Sequence, residues 1–149
     1  MSIKKVFFDA NIFNDIFDQN RAAFADSSKA FTGALKHGMT ICTSCDIITN
    51  IYYITAKYVS KDKALEAIAL LNTSVHILPF GAKELTQTIT LMRNDADYND
   101  LEDTIQYILA LNHRCDLIVT NDQNFVAKEI ACMSTASFVK KYLKRSADS

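Results

Sequence analysis

The segment Val6–Asn11, which reads VFFDAN, decides how the rest of the chain is interpreted. Its first three residues form a short apolar, aromatic-rich run that is typical of a buried strand, and this run ends abruptly at the carboxylate of Asp9. In open α/β sheets, ligands bind in the crevice beyond the carboxyl ends of the parallel strands. We therefore expect Asp9 to lie at the mouth of a binding site.

Strand and helix patterns alternate along the chain after Asp9. Short apolar runs predict further strands at 39–42, 75–78, 117–120 and 130–133. Apolar residues at helical spacing predict helices at 11–18, 47–59, 61–71, 82–93, 101–112 and 134–144. This alternation predicts an α/β fold with three layers, in which helices cover both faces of a central parallel sheet.

One further helix is predicted between the first two strands. The pair Ser27 and Ser28 precedes it and offers an N-cap hydroxyl, and Gly38 follows it in the manner of a C-terminal glycine cap. We therefore expect this helix to begin at the serine pair and to end just before the glycine.

Length and composition set limits on the architecture and the partners. With 149 residues, 49% of them hydrophobic, and no tract rich in Ser, Gly or Pro, the chain is expected to form one domain over residues 1–149. A net charge of -1 gives no overall attraction to nucleic acid or to an anionic membrane, so any such binding needs a local patch. No run approaches the roughly 18 apolar residues of a membrane helix, and we expect a cytoplasmic protein.

Carboxylates stand at several points that such a sheet would bring together. Asp9 and Asp122 follow predicted strands, and Asp100, Glu102 and Asp103 open a predicted helix. Like charges crowded into one crevice repel, and a bound divalent cation is the usual compensation. Carboxylates suit Mg²⁺ or Mn²⁺, whose common task is to activate water against a phosphodiester.

Four segments resemble, in their order and spacing, the motifs of the PIN domain family, the nuclease fold of the VapC-type toxins. They are FFDANIF at 7–13, Ser44 with a helix after it, DLEDT at 100–104 and VTNDQNF at 119–125. The resemblance covers nearly the whole chain. It implies a metal-dependent endoribonuclease, usually a homodimer, which is often inhibited by a small antitoxin protein.

The resemblance also assigns roles to individual positions. Asp9, Asp103 and Asp122 match the acidic site that holds Mg²⁺ or Mn²⁺ and carries catalysis, and Asp100 matches a frequent auxiliary acid of that metal site. The matching polar positions that support the site are Asn11, Ser44 and Thr120.

One position departs from the family pattern. The second acid of the family stands six residues after the serine, where this chain has Asn50. An amide oxygen can ligate a hard cation, but it brings no charge and cannot act as a base. Asp46 lies one helical turn earlier, and we hypothesise that it partly replaces the missing carboxylate. The alternative is a PIN-like module that binds RNA or protein without cutting.

Two further interpretations complete the sequence analysis. A haloacid-dehalogenase type of phosphate chemistry also begins with an acid at a strand end, but it needs a second Asp where Asn11 stands, and we find no lysine at a later strand end. For RNA contact, the basic candidates are on the last predicted helix, where cations also complement the helix dipole. These candidates are Lys140, Lys141, Lys144 and Arg145.

Overall fold

A five-stranded sheet forms the centre of the computed structural model, which describes residues 2–143. Every strand pairs in parallel with its neighbours, and the order across the sheet is β3-β2-β1-β4-β5. The strands are β1 (Lys5–Phe8), β2 (Thr40–Ser44), β3 (His76–Leu78), β4 (Leu117–Val119) and β5 (Ala131–Met133). The predicted α/β class with a parallel sheet is confirmed.

Seven helices lie within residues 2–143 and flank this sheet. They are α1 (Ala10–Ile16), α2 (Phe24–Lys36), α3 (Ile47–Tyr58), α4 (Lys61–Ser74), α5 (Ala82–Asn94), α6 (Leu101–Asn112) and α7 (Thr135–Tyr142). None of them is both long enough and apolar enough to cross a membrane.

The residues of β1 alternate between the two faces of the sheet and so build two cores. Val6 and Phe8 join the cluster that includes side chains of α1, α2, α3 and α7, whereas Phe7 joins the cluster with α5 and α6. All three side chains are fully buried. Because both faces are covered, the strand is continuously apolar, which explains the VFF run that precedes Asp9.

The order in which strands are added to the sheet reverses at β1. From β1 the chain adds β2 and β3 on one side, and it then crosses to place β4 and β5 on the other side. Phe8 is in register with Val119 of β4, and the Asp9 backbone N–H donates to the Val119 carbonyl at 3.1 Å. The carboxyl ends of β1 and β4 therefore flank the switch point of the sheet, where open α/β folds bind their ligands.

Helix α2 begins earlier than predicted, but it ends where the sequence predicts, just before Gly38. The helix begins at Phe24, so Ser27 and Ser28 lie inside it and the expected N-cap is wrong. The Ser27 hydroxyl instead donates to Asp15 Oδ2 at 2.8 Å, a buried tertiary contact that local sequence does not reveal. At the other end, Gly38 has φ +73°, the left-handed conformation that a glycine adopts without strain.

Candidate active site

Asp9 is held at the end of β1 with little freedom. Its side chain is only 4% exposed, and the Thr120 hydroxyl donates to its Oδ2 at 2.7 Å. Burial raises the pKa of this carboxyl, and the hydrogen bond from Thr120 opposes that rise. Asp9 is thus a buried carboxylate that Thr120 orients at the end of β1.

Thr120 connects Asp9 with the second strand-end acid. Besides donating to Asp9, its hydroxyl oxygen accepts the Asp122 backbone N–H at 3.1 Å. The Asp122 carboxylate in turn accepts the Asn124 N–H at 2.9 Å, which closes a tight turn after β4. The predicted supporting position Thr120 therefore lies between two of the predicted metal ligands.

Asp103 reaches the same crevice from the first turn of α6. Burial and the neighbouring carboxylates of Asp100, Asp9, Asp122 and Glu102 raise its pKa from 3.8 to about 7. Such mutual influence places the charges of these carboxylates near Asp103. Asp9, Asp103 and Asp122 therefore lie around one crevice, although their side chains are not gathered closely enough to hold an ion as they stand among the described residues.

Asp100 is engaged locally at the start of α6. Its side chain caps the helix, with Oδ1 accepting the Asp103 backbone N–H at 2.9 Å. One oxygen of the predicted auxiliary acid is thereby occupied, while its charge still raises the pKa of Asp103.

The second motif places a carboxylate near the site, although not at the family position. The buried Ser44 hydroxyl donates to Asp46, which directly precedes α3. Burial and the charges of Asp46 and Asp9 raise the pKa of Glu102, so Asp46 lies near the acidic cluster at the start of α6. The orientation of Asp46 by Ser44 gives the predicted serine a definite task.

Asn50, in contrast, belongs to a neighbouring amide-lined groove. Its exposed side chain accepts from Asn14 Nδ2 at 3.5 Å, and both residues line an open groove of about 490 Å³ together with Asn11. The predicted supporting positions Asn11 and Asn50 therefore lie side by side. Neither influences the pKa of Asp9 or Asp103.

Two residues near the site receive no individual role from the sequence. Glu102, which the sequence places in the acidic cluster at the start of α6, is exposed, and partial burial and the charges of Asp46, Asp9 and Asp100 raise its pKa. Gln106 lies one turn after Asp103 on α6, is fully buried, and is close enough to Asp9 to lower the pKa of that carboxyl. The sequence signal for Gln106 is its spacing from Asp103 along one helix.

The donor chemistry of this crevice fits a hard divalent cation. Carboxylates that raise one another's pKa lose that repulsion when a cation joins them, and oxygen donors are those that Mg²⁺ and Mn²⁺ prefer. Within residues 2–143, no three His, Cys, Asp or Glu side chains are gathered closely enough to hold an ion as they stand. Ligation thus requires rotation of the half-exposed side chains of Asp103 and Asp122 around the fixed Asp9.

Part of the acidic segment at 94–100 has a structural task. Lys128 bonds the carboxylates of Asp95 and Asp97 at 2.7 and 2.8 Å, and its backbone N–H donates to the Tyr98 hydroxyl at 3.1 Å. Tyr98 stacks on Tyr107 of α6 with 5.1 Å between ring centroids. These contacts fasten the loop before Asp100 to the loop after Asp122.

Two of the four basic candidates are on the described part of α7. Lys140 and Lys141 are exposed near the end of α7, which begins at the site edge just after β5 and is directed back across the sheet. At about 1.5 Å per residue, Lys140 is roughly 8 Å along the helix from its start. Lys144 and Arg145 lie outside the described residues.

Comparison with known proteins agrees with this architecture. The chain is 38% identical over 142 residues to "Ribonuclease VapC1" of Aquifex aeolicus (strain VF5). The aligned region covers 95% of this chain and 98% of that protein.

Two solved structures share the fold at low sequence identity. The VapC20 toxin of Mycobacterium tuberculosis, described as cleaving the sarcin-ricin loop, superimposes with a TM-score of 0.66 at 15% identity, covering 80% of this chain and 92% of the toxin. A toxin-antitoxin complex from Klebsiella pneumoniae gives 0.63 at 18% identity, covering 87% and 97%.

Residues 6–130 also match the family described as "PIN domain". This match takes in β1, β4 and the first turn of α6, and so every acid of the crevice. The chain belongs to the PIN domain family.

Proposed function

We propose that this protein is a divalent-metal-dependent endoribonuclease that hydrolyses RNA phosphodiester bonds with Mg²⁺ or Mn²⁺. The observation that carries the proposal is the setting of Asp103, whose pKa is raised to about 7 by burial and by the neighbouring charges of Asp100, Asp9, Asp122 and Glu102. Family membership and the ribonuclease relative support the class of reaction.

In this account, Asp9, Asp103 and Asp122 would hold the cation, and the second oxygen of Asp100 would assist. When bound, the cation would supply an acidified water as nucleophile and neutralise charge on the scissile phosphate. The chain itself contributes rigid positioning, because Thr120 fixes Asp9 and the turn after β4 together. Asp103, whose pKa burial and its acidic neighbours raise to about 7, would have to give up its proton to act as a ligand.

Because Asn50 stands where the family has an acid, the site lacks one negative charge, which another carboxylate must provide. Asp46, oriented by Ser44, and Glu102 both lie near the crevice, and we propose that they compensate for the amide. The charge count of the site is then no lower than that of a site with an acid at position 50.

We further propose a cellular setting for this activity. The fold is shared with a toxin-antitoxin complex from Klebsiella pneumoniae, which supports a small antitoxin as partner. A cytoplasmic homodimer as the working form is part of this proposal, and it rests on the resemblance to the family alone. RNA would be guided to the site by Lys140, Lys141, Lys144 and Arg145 on and after α7.

Cleavage of a mixed RNA pool tests the proposal. We expect fragments with Mn²⁺ present, intact RNA after addition of a chelator, and intact RNA with the Asp9→Asn variant at equal protein concentration. Cleavage that persists in the chelator or in Asp9→Asn would show that the activity comes from elsewhere.

A second candidate function rests on Asn50 and on the separation of the carboxylates. Without an acid at that position, and with no three ligands gathered as they stand among the described residues, the chain would bind RNA or a protein without cutting it. RNA that is retained on the protein but stays intact with Mn²⁺ is the result that favours this alternative.

A further inference from the structure

Gln106 is a buried amide with no hydrogen-bond partner. Its side chain is fully buried inside α6, and neither Nε2 nor Oε1 makes a hydrogen bond to any described residue. Buried amides are nearly always paired, because an unpaired donor or acceptor loses its hydration without compensation. An amide left in this state at one place in a well-packed core requires an explanation.

The position of Gln106 supplies that explanation. It lies one helical turn after Asp103, so both residues project from the same face of α6. Its amide is close enough to Asp9 to lower the pKa of that carboxyl, yet it falls short of hydrogen-bond geometry. Thr120 already donates to Asp9 Oδ2 at 2.7 Å, so the amide lies near a carboxylate that is held at a fixed place.

We propose that Gln106 is a positioning residue for the metal site, whose amide N–H donates to the Asp9 carboxylate when a divalent cation draws Asp103 and Asp9 together. Thr120 and Gln106 would then hold Asp9 from two sides and leave the remaining lone pairs of its carboxylate for the cation. The inference rests on the proposed function, because it needs the cation at Asp9 and Asp103. A hydrogen bond of this kind to a metal ligand typically changes metal affinity by 10- to 100-fold.

This role predicts opposite effects on metal binding and on folding. Gln106→Met keeps the length of the side chain and removes its polar atoms, so the metal-free protein no longer buries an unpaired amide. We expect the thermal unfolding midpoint without metal to stay unchanged or rise by roughly 2–4 °C. The same variant should bind Mn²⁺ at least about tenfold more weakly.

The experiment measures Mn²⁺ affinity by calorimetry and the unfolding midpoint in chelator for the unaltered protein, Gln106→Met, Gln106→Leu and Asp9→Asn. Gln106→Leu serves if the methionine variant does not fold. Thr88→Val, which replaces a buried hydroxyl on α5 that bonds only its own helix, is the matched control and should leave Mn²⁺ affinity unchanged.

Each outcome distinguishes a positioning role of Gln106 at the metal site from a purely structural role in the core. Weaker Mn²⁺ binding with an unchanged or raised midpoint supports the inference. Unchanged affinity in both Gln106 variants, or a midpoint that falls together with affinity, overturns it, because the amide would then be inert or merely structural. If the unaltered protein binds Mn²⁺ no better than Asp9→Asn, the proposed metal site itself is wrong and the inference fails with it.

Discussion

The protonation of Asp103 makes the stability of the fold depend on pH. Its pKa is about 7 in the folded protein, whereas 3.8 is the ordinary value that applies to the unfolded chain. Between these two values the folded state keeps a proton that the unfolded state releases, so the free energy of unfolding falls as pH rises through this window. Asp9 and Glu102, whose pKa values are also raised, act in the same direction.

We therefore predict that the metal-free protein is more stable to urea at about pH 5 than at about pH 8. Asp103→Asn should remove much of this difference, whereas Asp62→Asn, on the exposed first turn of α4, should retain it. Urea unfolding in the presence of a chelator measures the profile. A free energy of unfolding that rises over this range would contradict the crowding of the carboxylates.

Asp46 carries the second prediction at this scale. If it supplies charge that Asn50 lacks, Asp46→Ala should weaken Mn²⁺ binding by roughly tenfold, because a cation in this crevice loses a nearby carboxylate. Ser44→Ala should weaken it less, since Asp46 loses only its hydrogen bond.

The control for Asp46 is Asp62→Ala, which removes a carboxylate at another helix start and should leave the affinity for Mn²⁺ unaltered. Equal affinities for Asp46→Ala and this control would mean that Asp46 does not compensate for Asn50.

Sequence reasoning identified the residues at strand ends more readily than those on helices. Asp9 and Asp122 were predictable because the end of a buried parallel strand has a fixed place at the edge of a sheet. Gln106 was not, because a polar residue on a helix faces the site or the solvent according to how that helix docks. Ser27 was misassigned for the same reason, since its partner Asp15 comes from another helix.

At the scale of elements, Asn121 joins the end of β4 to the start of α7. Its Oδ1 accepts from the Thr135 backbone N–H at 3.0 Å and from the Thr135 hydroxyl at 3.1 Å. The helix it anchors places Phe138 edge-on against Phe8, with ring centroids 6.1 Å apart. One amide thus fixes the loop that carries Asp122 and the helix that covers β1.

We predict that Asn121→Ala lowers the free energy of unfolding by about 1–2 kcal/mol, because it leaves two donors of Thr135 without an acceptor. Asn112→Ala, which removes an exposed amide pair with Gln87, should cost less than about 0.5 kcal/mol. Urea unfolding of the unaltered protein, Asn121→Ala and Asn112→Ala measures these free energies. Equal losses for the two variants would show that the connection contributes no more than a surface contact.

The order of elements was largely predictable, because strand and helix periodicities alternate cleanly and every predicted strand exists within one or two residues. The neighbours of each strand could not be read from the chain, since pairing β4 with β1 brings together residues more than a hundred positions apart. The ion pairs of Lys128 with Asp95 and Asp97 are also contacts between distant parts of the chain, which the sequence does not reveal. They explain why Asp95 and Asp97 lie outside the site.

For the molecule as a whole, charge must be distributed unevenly if RNA is to approach an acidic site. A net charge of -1 gives no general attraction, so the proposal places RNA contact on the basic end of the chain. Lys140 and Lys141 are exposed there, near the end of α7.

We predict that replacing both lysines with glutamine weakens RNA binding and makes it less sensitive to salt, with the slope of log affinity against log salt reduced by about one to two. Filter binding to Asp9→Asn, which keeps the RNA intact, measures this. Lys61 and Lys63, exposed on α4, provide the matched double control. An unchanged slope would move the RNA path away from α7.

The most direct test of the central claim, that the strand-end acids form one metal site, is a Mn²⁺ titration of the unaltered protein and of Asp9→Asn by calorimetry at about pH 7.5, with thermal unfolding confirming that both are folded. The account predicts saturable binding to the unaltered protein and its loss in Asp9→Asn. Binding of equal strength to both proteins would contradict a site built on Asp9.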